Sequence, residues 1–243
     1  MNRNEYDLLE EYEEKNWWFI AKKERLKRIL LKRYTDGKKR ILLDIGCGVG
    51  IEASILQDFG KVMLTDNEFH ALGVCKKRGF SGVCASAEML PFKEGLFDGI
   101  FAIDVIEHIK NDSKAIREWH SLCPKGGSLF VTTSAFQWLY NEHDQAVKHF
   151  RRYSKIELKK KLEAEGFEVV WINYGYVILF IPLAVVVVFN KFSPLKIKIA
   201  TENLSVSPLL NTILLNIMRV ENALIKEIPF PFGTAILCEA RKK

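Results

Sequence analysis

Short aliphatic runs alternate with amphipathic stretches through the middle of the chain, and this alternation restricts the possible folds more than any other feature of the sequence. The runs predict strands at 40–45, 61–65, 82–85, 99–103 and 127–133. Helices are predicted between them near 51–59, 68–78 and 113–123, and Gly60 and Gly79 end the first two. Strands that alternate with helices predict an α/β fold, in which helices cover both faces of a parallel sheet.

The last third of the chain predicts two further strands that are far apart in sequence. A helix begins at the capping box Ser154-x-x-Glu157 and runs to Gly166. Strands follow at 168–173 and 234–241, which brings the expected sheet to seven strands. The segment 174–232 therefore forms a long insertion before the last strand.

The insertion opens with an apolar run, YGYVILFIPLAVVVVF, from Tyr174 to Phe189. Its 16 residues carry no charge, whereas a helix needs roughly 20 to cross a bilayer, and Pro182 would kink it. We expect a buried helix. It would form a closed cap with a second helix at 207–226, which Ser207 and Pro208 open. The apolar face predicted for that second helix is formed by Leu210, Ile213, Leu214, Ile217 and Leu224. The alternative is peripheral contact with a membrane, because three lysines follow the run: Lys191, Lys196 and Lys198.

Composition and charge are those of a globular protein inside the cell. The hydrophobic content is 48% and the charged content 27%, and a net charge of +6 is too mild to indicate nucleic-acid binding. Five cysteines without C-x-x-C spacing indicate reduced thiols. The acidic N-terminus differs from a signal peptide. We therefore expect a cytoplasmic protein without a nucleic-acid partner, with contact to the inner face of the membrane as the alternative.

The first strand ends in an acid and a glycine-rich turn, LLDIGCGVG, at 42–50. Glycines at this point allow a ligand to approach the backbone closely. A dinucleotide fingerprint would need its third glycine where Ile51 stands, so the pattern departs from that class. Asp66 lies 20 residues after Gly46, where a carboxylate can accept both hydroxyls of a ribose. The pattern predicts a ligand with a free ribose diol.

At this point the sequence resembles the class I S-adenosylmethionine-dependent methyltransferases. LLDIGCGVG is similar to their first motif and LTDNEF to the acidic end of their second strand, while SAEMLPFKEGLFDGIFAIDVIEHI and LCPKGGSLFVTT match later signatures in order. The resemblance implies a Rossmann-like, seven-stranded, mostly parallel sheet with helices on both faces and a helical cap inserted before the last strand. We expect an N-terminal helical cap at 1–38, a core at 39–173 plus 233–243, and the apolar insertion at 174–232.

The resemblance also implies the residues that hold S-adenosylmethionine and its product, S-adenosylhomocysteine. Asp44 would lie near the amino group of the methionine moiety, and the backbone of the turn would approach the cofactor. The ribose would meet the end of the second strand, the adenine would meet the turn before Glu88, and the sulfonium would lie above the end of the fourth strand. The cofactor-binding residues expected in these positions are Asp44, Gly46, Cys47, Gly48, Asp66, Asn67, Ser86, Ala87, Asp104 and Val105.

The loop after the fifth strand is rich in titratable and aromatic residues, SAFQWLYNEHDQAVKHFRRYS at 134–154. It should overhang the methyl group, because ligands bind at the carboxyl ends of parallel strands. Together with the NWWF helix at 16–19, it resembles a subgroup of small-molecule methyltransferases. The implied acceptor is a small molecule or a lipid-linked molecule, methylated on oxygen. The candidate catalytic residues are His143, His149, Arg151 and Tyr153.

A histidine near neutral pKa suits the removal of a proton from an acceptor hydroxyl, and Lys148, Arg151 and Arg152 could hold a phosphate or carboxylate. Three alternatives remain open. The loop residues could serve only to anchor the loop. Asp104-x-x-Glu107-His108 could bind a divalent cation in a metal-assisted variant, although no metal ligand is expected in the leading interpretation. The protein could also be a non-catalytic cofactor-binding subunit of a partner.

Overall fold

The computed structural model describes residues 12–195, 197 and 206–243. One seven-stranded sheet forms its centre, in the order β3-β2-β1-β4-β5-β7-β6. The strands are β1 (Arg40–Ile45), β2 (Gly60–Asp66), β3 (Gly82–Cys84), β4 (Gly99–Ile103), β5 (Ser128–Ser134), β6 (Phe167–Gly175) and β7 (Ala235–Lys242). The predicted α/β fold and all seven predicted strands are confirmed.

The sheet is parallel except for β7, which pairs antiparallel with both β5 and β6. Strand β1 lies between β2 and β4, and its Asp44 pairs in register with Leu64 on one side and Phe101 on the other. After β1, the chain forms β2 and β3 on one side of β1, and it then crosses back to form β4 and the remaining strands on the other side. The crevice between the carboxyl ends of β1 and β4 is therefore the switch point at which such sheets bind ligands.

Helices flank the sheet on both faces. They are α1 (Trp17–Arg33), α2 (Ala53–Leu56), α3 (Phe69–Lys77), α4 (Asp112–Leu122), α5 (Glu142–Ala146), α6 (Lys155–Ala164), α7 (Val177–Phe192) and α8 (Pro208–Leu224). The predicted helix at 51–59 is only four residues long in the structure, because the glycine-rich turn extends into it and Gly50 has a φ of +80°. Residues 1–11 of the N-terminal helical cap predicted at 1–38 lie outside the described residues.

Two apolar clusters fill the spaces between the sheet and its helices. On one face, Trp119 and Phe167 are buried among the side chains of β1, β4 and β5. On the other face, α1 packs Leu26 and Leu30 against Phe101 and Phe130, whose rings stack at 4.9 Å. The alternation of residues along β4 and β5 thus divides the core into the two layers expected for strands covered on both sides.

Helix α8 packs along α1 and buries a face different from the predicted one. Met218, Glu221 and Asn222 are its buried residues, while Leu210 and Ile213 of the predicted face are 44% and 46% exposed. The Arg25 side chain explains the difference: its Nε donates to Oδ1 of Asn222 at 2.7 Å, so a polar contact determines how α8 is rotated. The predicted apolar face is therefore wrong.

Helix α7 is the apolar run of the insertion, and it differs from the buried helix expected. None of its residues is buried, although Leu179 contacts the cluster that includes Met218. Its start is fixed by Glu221, whose carboxylate accepts from the backbone nitrogens of Tyr176 and Val177. The expectation of a buried helix is thus wrong. Among the described residues, no helix combines the length and apolar character needed to cross a bilayer. Lys196 and Lys198 lie outside the described residues.

Candidate functional site

The glycine turn after β1 brings the ends of two neighbouring strands together. Gly46 and Gly48 have φ values of +67° and +52°, in the region that favours glycine. The backbone nitrogens of Gly46 and Cys47 both donate to the carbonyl oxygen of Thr65, at 2.7 and 3.0 Å. A Cβ atom on Gly46 would lie only 2.6 Å from Cγ2 of Val105. Glycine is therefore required where the turn passes over the end of β4.

Asp66 at the end of β2 holds the turn in place. Its Oδ2 accepts from the backbone nitrogen of Gly48 at 2.9 Å, and its Oδ1 accepts from that of Glu68 at the same distance. Asn67 follows directly, and its carbonyl oxygen lies 3.6 Å from Sγ of Cys84. The carboxylate expected to bind the ribose thus also orders the turn expected to lie beneath the cofactor.

The loop after β3 carries the two residues expected beside the adenine. The backbone nitrogen of Ala85 donates to the carbonyl oxygen of Asp66, which joins this loop to the end of β2. The Ser86 hydroxyl accepts from the backbone nitrogen of Glu88 at 3.2 Å, and the carbonyl oxygen of Ala87 accepts from Trp119 Nε1 at 2.9 Å. The structure therefore brings the adenine-side residues to the same edge of the sheet as Asp66.

Asp104 lies directly after β4 in a strained backbone conformation, with a φ of +58°. Its Oδ1 accepts from the Thr132 hydroxyl at 2.6 Å, and its Oδ2 lies 2.9 Å from Nζ of Lys22. Lys22 also lies 2.9 Å from Oε1 of Glu52. Burial alone would lower the pKa of Lys22, but the charges of Asp104 and Glu52 raise it well above its ordinary value. Sequence analysis missed Lys22, which carries no motif signal.

The crevice is rich in carboxylates, and one of them has an unused oxygen. Asp44 is 1% exposed, and its Oδ2 has no hydrogen-bond partner among the described residues. Burial raises the pKa of Asp44 well above its ordinary value, and the charge of Glu52 raises it further. Buried acids without a partner favour a cationic ligand. S-adenosylmethionine carries a sulfonium and an ammonium and fits this crevice, whereas the pyrophosphate of a dinucleotide would be repelled.

The loop after β5 holds one histidine in a fixed orientation. His149 Nδ1 lies 2.7 Å from Oδ1 of Asp144, and Asp144 is fully buried. Arg152 Nε donates to both oxygens of Asp144 at 2.9 and 3.0 Å. Although burial opposes it, the hydrogen bonds from His149 and Arg152 lower the pKa of Asp144. An ionised carboxylate on Nδ1 leaves Nε2 of His149 as the nitrogen available to accept a proton.

His149 also contacts His108, which lies in the short 3-10 helix after β4. Its ring centroid lies 4.5 Å from that of His108, with the two rings at 78°. Burial, followed by the charge of His149, lowers the pKa of His108 to about 4. His108 therefore stays neutral at physiological pH. The ring of His143 is farther away, at 6.4 Å from His149, and its buried Nδ1 has no hydrogen-bond partner.

The other two candidate catalytic residues contact the start of α4. The Tyr153 hydroxyl is buried and donates to Oδ2 of Asp112 at 2.8 Å. Arg151 donates to the same oxygen at 2.9 Å and to the carbonyl oxygen of Lys110 at 2.7 Å. These contacts anchor the loop to α4. The structure thus brings His143 and His149 together, whereas Arg151 and Tyr153 contact Asp112 at the start of α4.

The residues considered for a metal ion have other partners. Glu107 Oε2 accepts from the Thr133 hydroxyl at 2.9 Å, and Oε1 accepts from the backbone nitrogen of Ser134 at 3.1 Å. Burial and then the charge of Asp104 raise the pKa of Glu107 to about 7. Within the described ranges, no three histidine, cysteine or acidic residues are arranged to hold a metal ion.

Comparison with known proteins identifies the domain. Residues 43–131 match the family model of a methyltransferase domain. An uncharacterized protein of Methanocaldococcus jannaschii is 31% identical over 148 residues, which cover 61% of this chain and 64% of that protein. A tRNA (carboxymethyluridine(34)-5-O)-methyltransferase of Xenopus tropicalis is 27% identical over 109 residues, covering 44% of this chain and 17% of that protein. The chain thus spans less than two thirds of the length of these curated relatives.

The same fold occurs in a solved structure of similar size. An S-adenosylmethionine-dependent methyltransferase of Thermotoga maritima, described as a possible histamine N-methyltransferase, matches with a TM-score of 0.62 and 19% identity. The match covers 99% of this chain and 96% of that chain. The family match identifies residues 43–131 as a methyltransferase domain, and the order of the strands and the solved structure show that the chain has the class I methyltransferase fold.

Proposed function

We propose that the protein transfers a methyl group from S-adenosylmethionine to an oxygen atom of a small-molecule or lipid-linked acceptor. The observation that carries this proposal is the pairing of His149 with the buried Asp144 at 2.7 Å, next to His108. An oxygen nucleophile must lose its proton, and a histidine oriented by a carboxylate is suited to accept it. A proton acceptor of this kind distinguishes a catalytic site from a cofactor-binding module.

The cofactor supplies a methyl group on a positively charged sulfur. Backbone atoms of the glycine turn at Gly46 and Gly48 would lie against it, and Asp66 would accept hydrogen bonds from its ribose. The free Oδ2 of Asp44 would receive its ammonium. Asp104 would face the sulfonium, with Lys22 sharing its carboxylate. Ser86, Ala87 and Asn67 would border the base and ribose.

The chain's own residues contribute position and proton transfer. Nε2 of His149 would accept the proton of the acceptor hydroxyl, and the bound cofactor would supply the methyl group to the acceptor oxygen. The charge of Asp144 stabilises the imidazolium that results. Orienting the acceptor in line with the breaking bond supplies most of the remaining rate enhancement. We assign Tyr153 and Arg151 to anchoring the loop, and His143 to packing beside His149.

A search for acceptors tests this function directly. Purified protein and S-adenosylmethionine are incubated with separate fractions of polar metabolites, lipids and RNA, and mass spectrometry looks for species that gain one methyl group. We expect such a product in the metabolite or lipid fraction. It should disappear with His149→Ala and persist with His120→Gln, a control in the last turn of α4. A product only in RNA, or methylation only at nitrogen, would contradict the proposed acceptor.

A further inference from the structure

Helix α7 presents an apolar surface that the described residues leave exposed. Ile181 and Val185 are each 61% exposed, Val188 is 47% exposed and Phe192 is 80% exposed. A helix that packs on a protein through one stripe has polar residues on its other faces. Residues 177–189 carry no charged side chain at all, so the helix is apolar on every side. Such a helix requires an apolar environment that this chain does not supply among the described residues.

We propose that α7 lies in the surface of an anionic bilayer and presents a lipid-linked acceptor to the site. The helix has 16 residues and a length of about 24 Å, which is short of the roughly 30 Å of a hydrocarbon core. Its apolar run, 177–189, has 13 residues, a length typical of a segment in the membrane interface and too short for one that crosses the bilayer. The proposal rests on the proposed function, because it names the class of acceptor for the same site.

Charge at the end of α7 favours a bilayer with anionic lipids over a protein partner. Lys191 is exposed at the C-terminal end of the helix, and the sequence continues with Lys196 and Lys198. Basic residues next to an apolar helix attract anionic headgroups while the apolar side chains enter the acyl region. Trp138, which is 51% exposed, lies near the start of the helix. Tryptophan is enriched at the level of lipid headgroups.

A row of aromatic rings connects α7 with the edge of the sheet that carries the site. The Phe180 ring lies 5.8 Å from that of Trp138 and 5.6 Å from that of Phe136. Phe136 follows β5 and stacks on Tyr174 at 4.6 Å. The first turns of α7 therefore reach the loop that holds His149. A lipid tail lying along α7 would leave its polar end at the carboxyl edge of the sheet.

Vesicle flotation with the full chain tests the surface. Vesicles of phosphatidylcholine alone are compared with vesicles that also contain phosphatidylglycerol, at low and physiological salt. The test variant is Ile181→Ser combined with Val185→Ser, and Ile156→Ser is the control, because Ile156 is 70% exposed on α6. We expect the native chain and the control to float with the anionic vesicles. The bound fraction of the test variant should fall at least about tenfold, and salt should reduce binding by the native chain.

Three results would overturn the proposal. One is no flotation of the native chain, and another is equal flotation of the test variant and the control. The third is a dimer without vesicles that the test variant converts to a monomer, since α7 would then pair two copies. Light scattering measures whether the chain without vesicles is a monomer or a dimer. Calorimetry with S-adenosylmethionine and a methylation assay distinguish this proposal from the proposed function. If the chain binds the cofactor and methylates a water-soluble acceptor but does not float with vesicles, the membrane proposal is wrong and the methyltransferase function stands.

Discussion

The ammonium of Lys22 on α1 lies 2.9 Å from the carboxylate of Asp104 at the end of β4, although 82 residues separate them in the sequence. The contact brings the N-terminal helix to the centre of the cofactor crevice. Trp18, one turn earlier, stacks on Tyr176 with ring centroids 4.1 Å apart. Helix α1 thus contributes to the crevice from one side, as the loop with His149 does from the other.

Lys22→Met is expected to favour S-adenosylmethionine over S-adenosylhomocysteine. Two positive charges, the sulfonium and the ammonium of Lys22, would lie beside the carboxylate of Asp104 and repel each other. Removing the ammonium removes this repulsion when S-adenosylmethionine is bound. It has no such effect with S-adenosylhomocysteine, because the sulfur of the product is neutral. Because the Asp104 side chain is 43% exposed, solvent screens the effect. We expect about 1 kcal/mol, or about fivefold in the affinity ratio. Calorimetry with both ligands measures it.

The matched control is Lys23→Met on the same helix, whose Nζ lies 4.0 Å from Glu13. It should leave the affinity ratio unchanged. Equal changes in the affinities for both ligands in Lys22→Met would show that Lys22 acts on the methionine carboxylate or on folding, and would contradict the predicted repulsion.

Asp66→Ala should weaken cofactor binding by about 1.5–3 kcal/mol, the range for hydrogen bonds to a charged group. The substitution removes the ribose acceptor and also the acceptor for the backbone nitrogen of Gly48. Asp58→Ala serves as the control, because the Asp58 side chain is half exposed and its carboxylate pairs with Lys27, which is also half exposed. Titration calorimetry measures the affinity of each variant for S-adenosylmethionine. Unchanged affinity in Asp66→Ala would show that Asp66 does not bind the cofactor.

The sheet was predictable because each strand is a short aliphatic run bounded by glycine or a turn. The glycine turn and Asp66 were also predictable from local sequence, since the turn directly follows β1 and Asp66 ends β2. The rotation of α8 was not predictable. It depends on the hydrogen bond from Arg25 to Asn222, whose residues lie 197 positions apart. The apolar pattern of α8 contained a second face, and nothing local indicated which one the chain would bury.

The loop after β5 shows the same limit at the acceptor side. Sequence placed His149, Arg151 and Tyr153 together as titratable groups, because they are close along the chain. In the structure, Arg151 and Tyr153 contact Asp112, whereas His149 contacts Asp144. Asp112 lies 41 residues before Tyr153 and accepts a hydrogen bond from its hydroxyl. The role of Lys22 was hidden for the same reason. A charge on an amphipathic helix normally faces solvent, and only the crossing of α1 over the sheet brings this one inside.

Glu107 should make the protein less stable as pH rises from about 4.5 to about 7. Burial raises the pKa of Glu107 from 4.5 to about 7, so the folded state binds more protons than the unfolded state between these values. Its contribution is complete below the lower value and is lost as pH rises through the upper one. Glu107→Gln, which keeps the bonds to Thr133 and Ser134, should remove this slope. Denaturant unfolding across this range should show a difference in slope worth about 2–3 kcal/mol.

A surface acid provides the comparison for Glu107. Glu163 is 45% exposed and pairs with Lys159 four residues earlier, so Glu163→Gln should keep the slope of the native protein. Parallel pH profiles for Glu107→Gln and the native protein would mean that Glu107 is ionised at its ordinary pKa in the folded state.

His149→Ala is expected to lower methyl transfer by about 10²–10⁴-fold, the usual contribution of a general base. Affinity for S-adenosylmethionine should stay unchanged, because the His149 ring interacts with Asp144, His108 and His143, all of which lie outside the glycine turn. The control His120→Gln alters a histidine that packs on Phe167 instead, and it should keep full turnover. Single-turnover rates with the identified acceptor and calorimetry with the cofactor separate the two effects. Loss of cofactor affinity or of the folded state in His149→Ala would show that the loop supports the structure and that the proton leaves by another route.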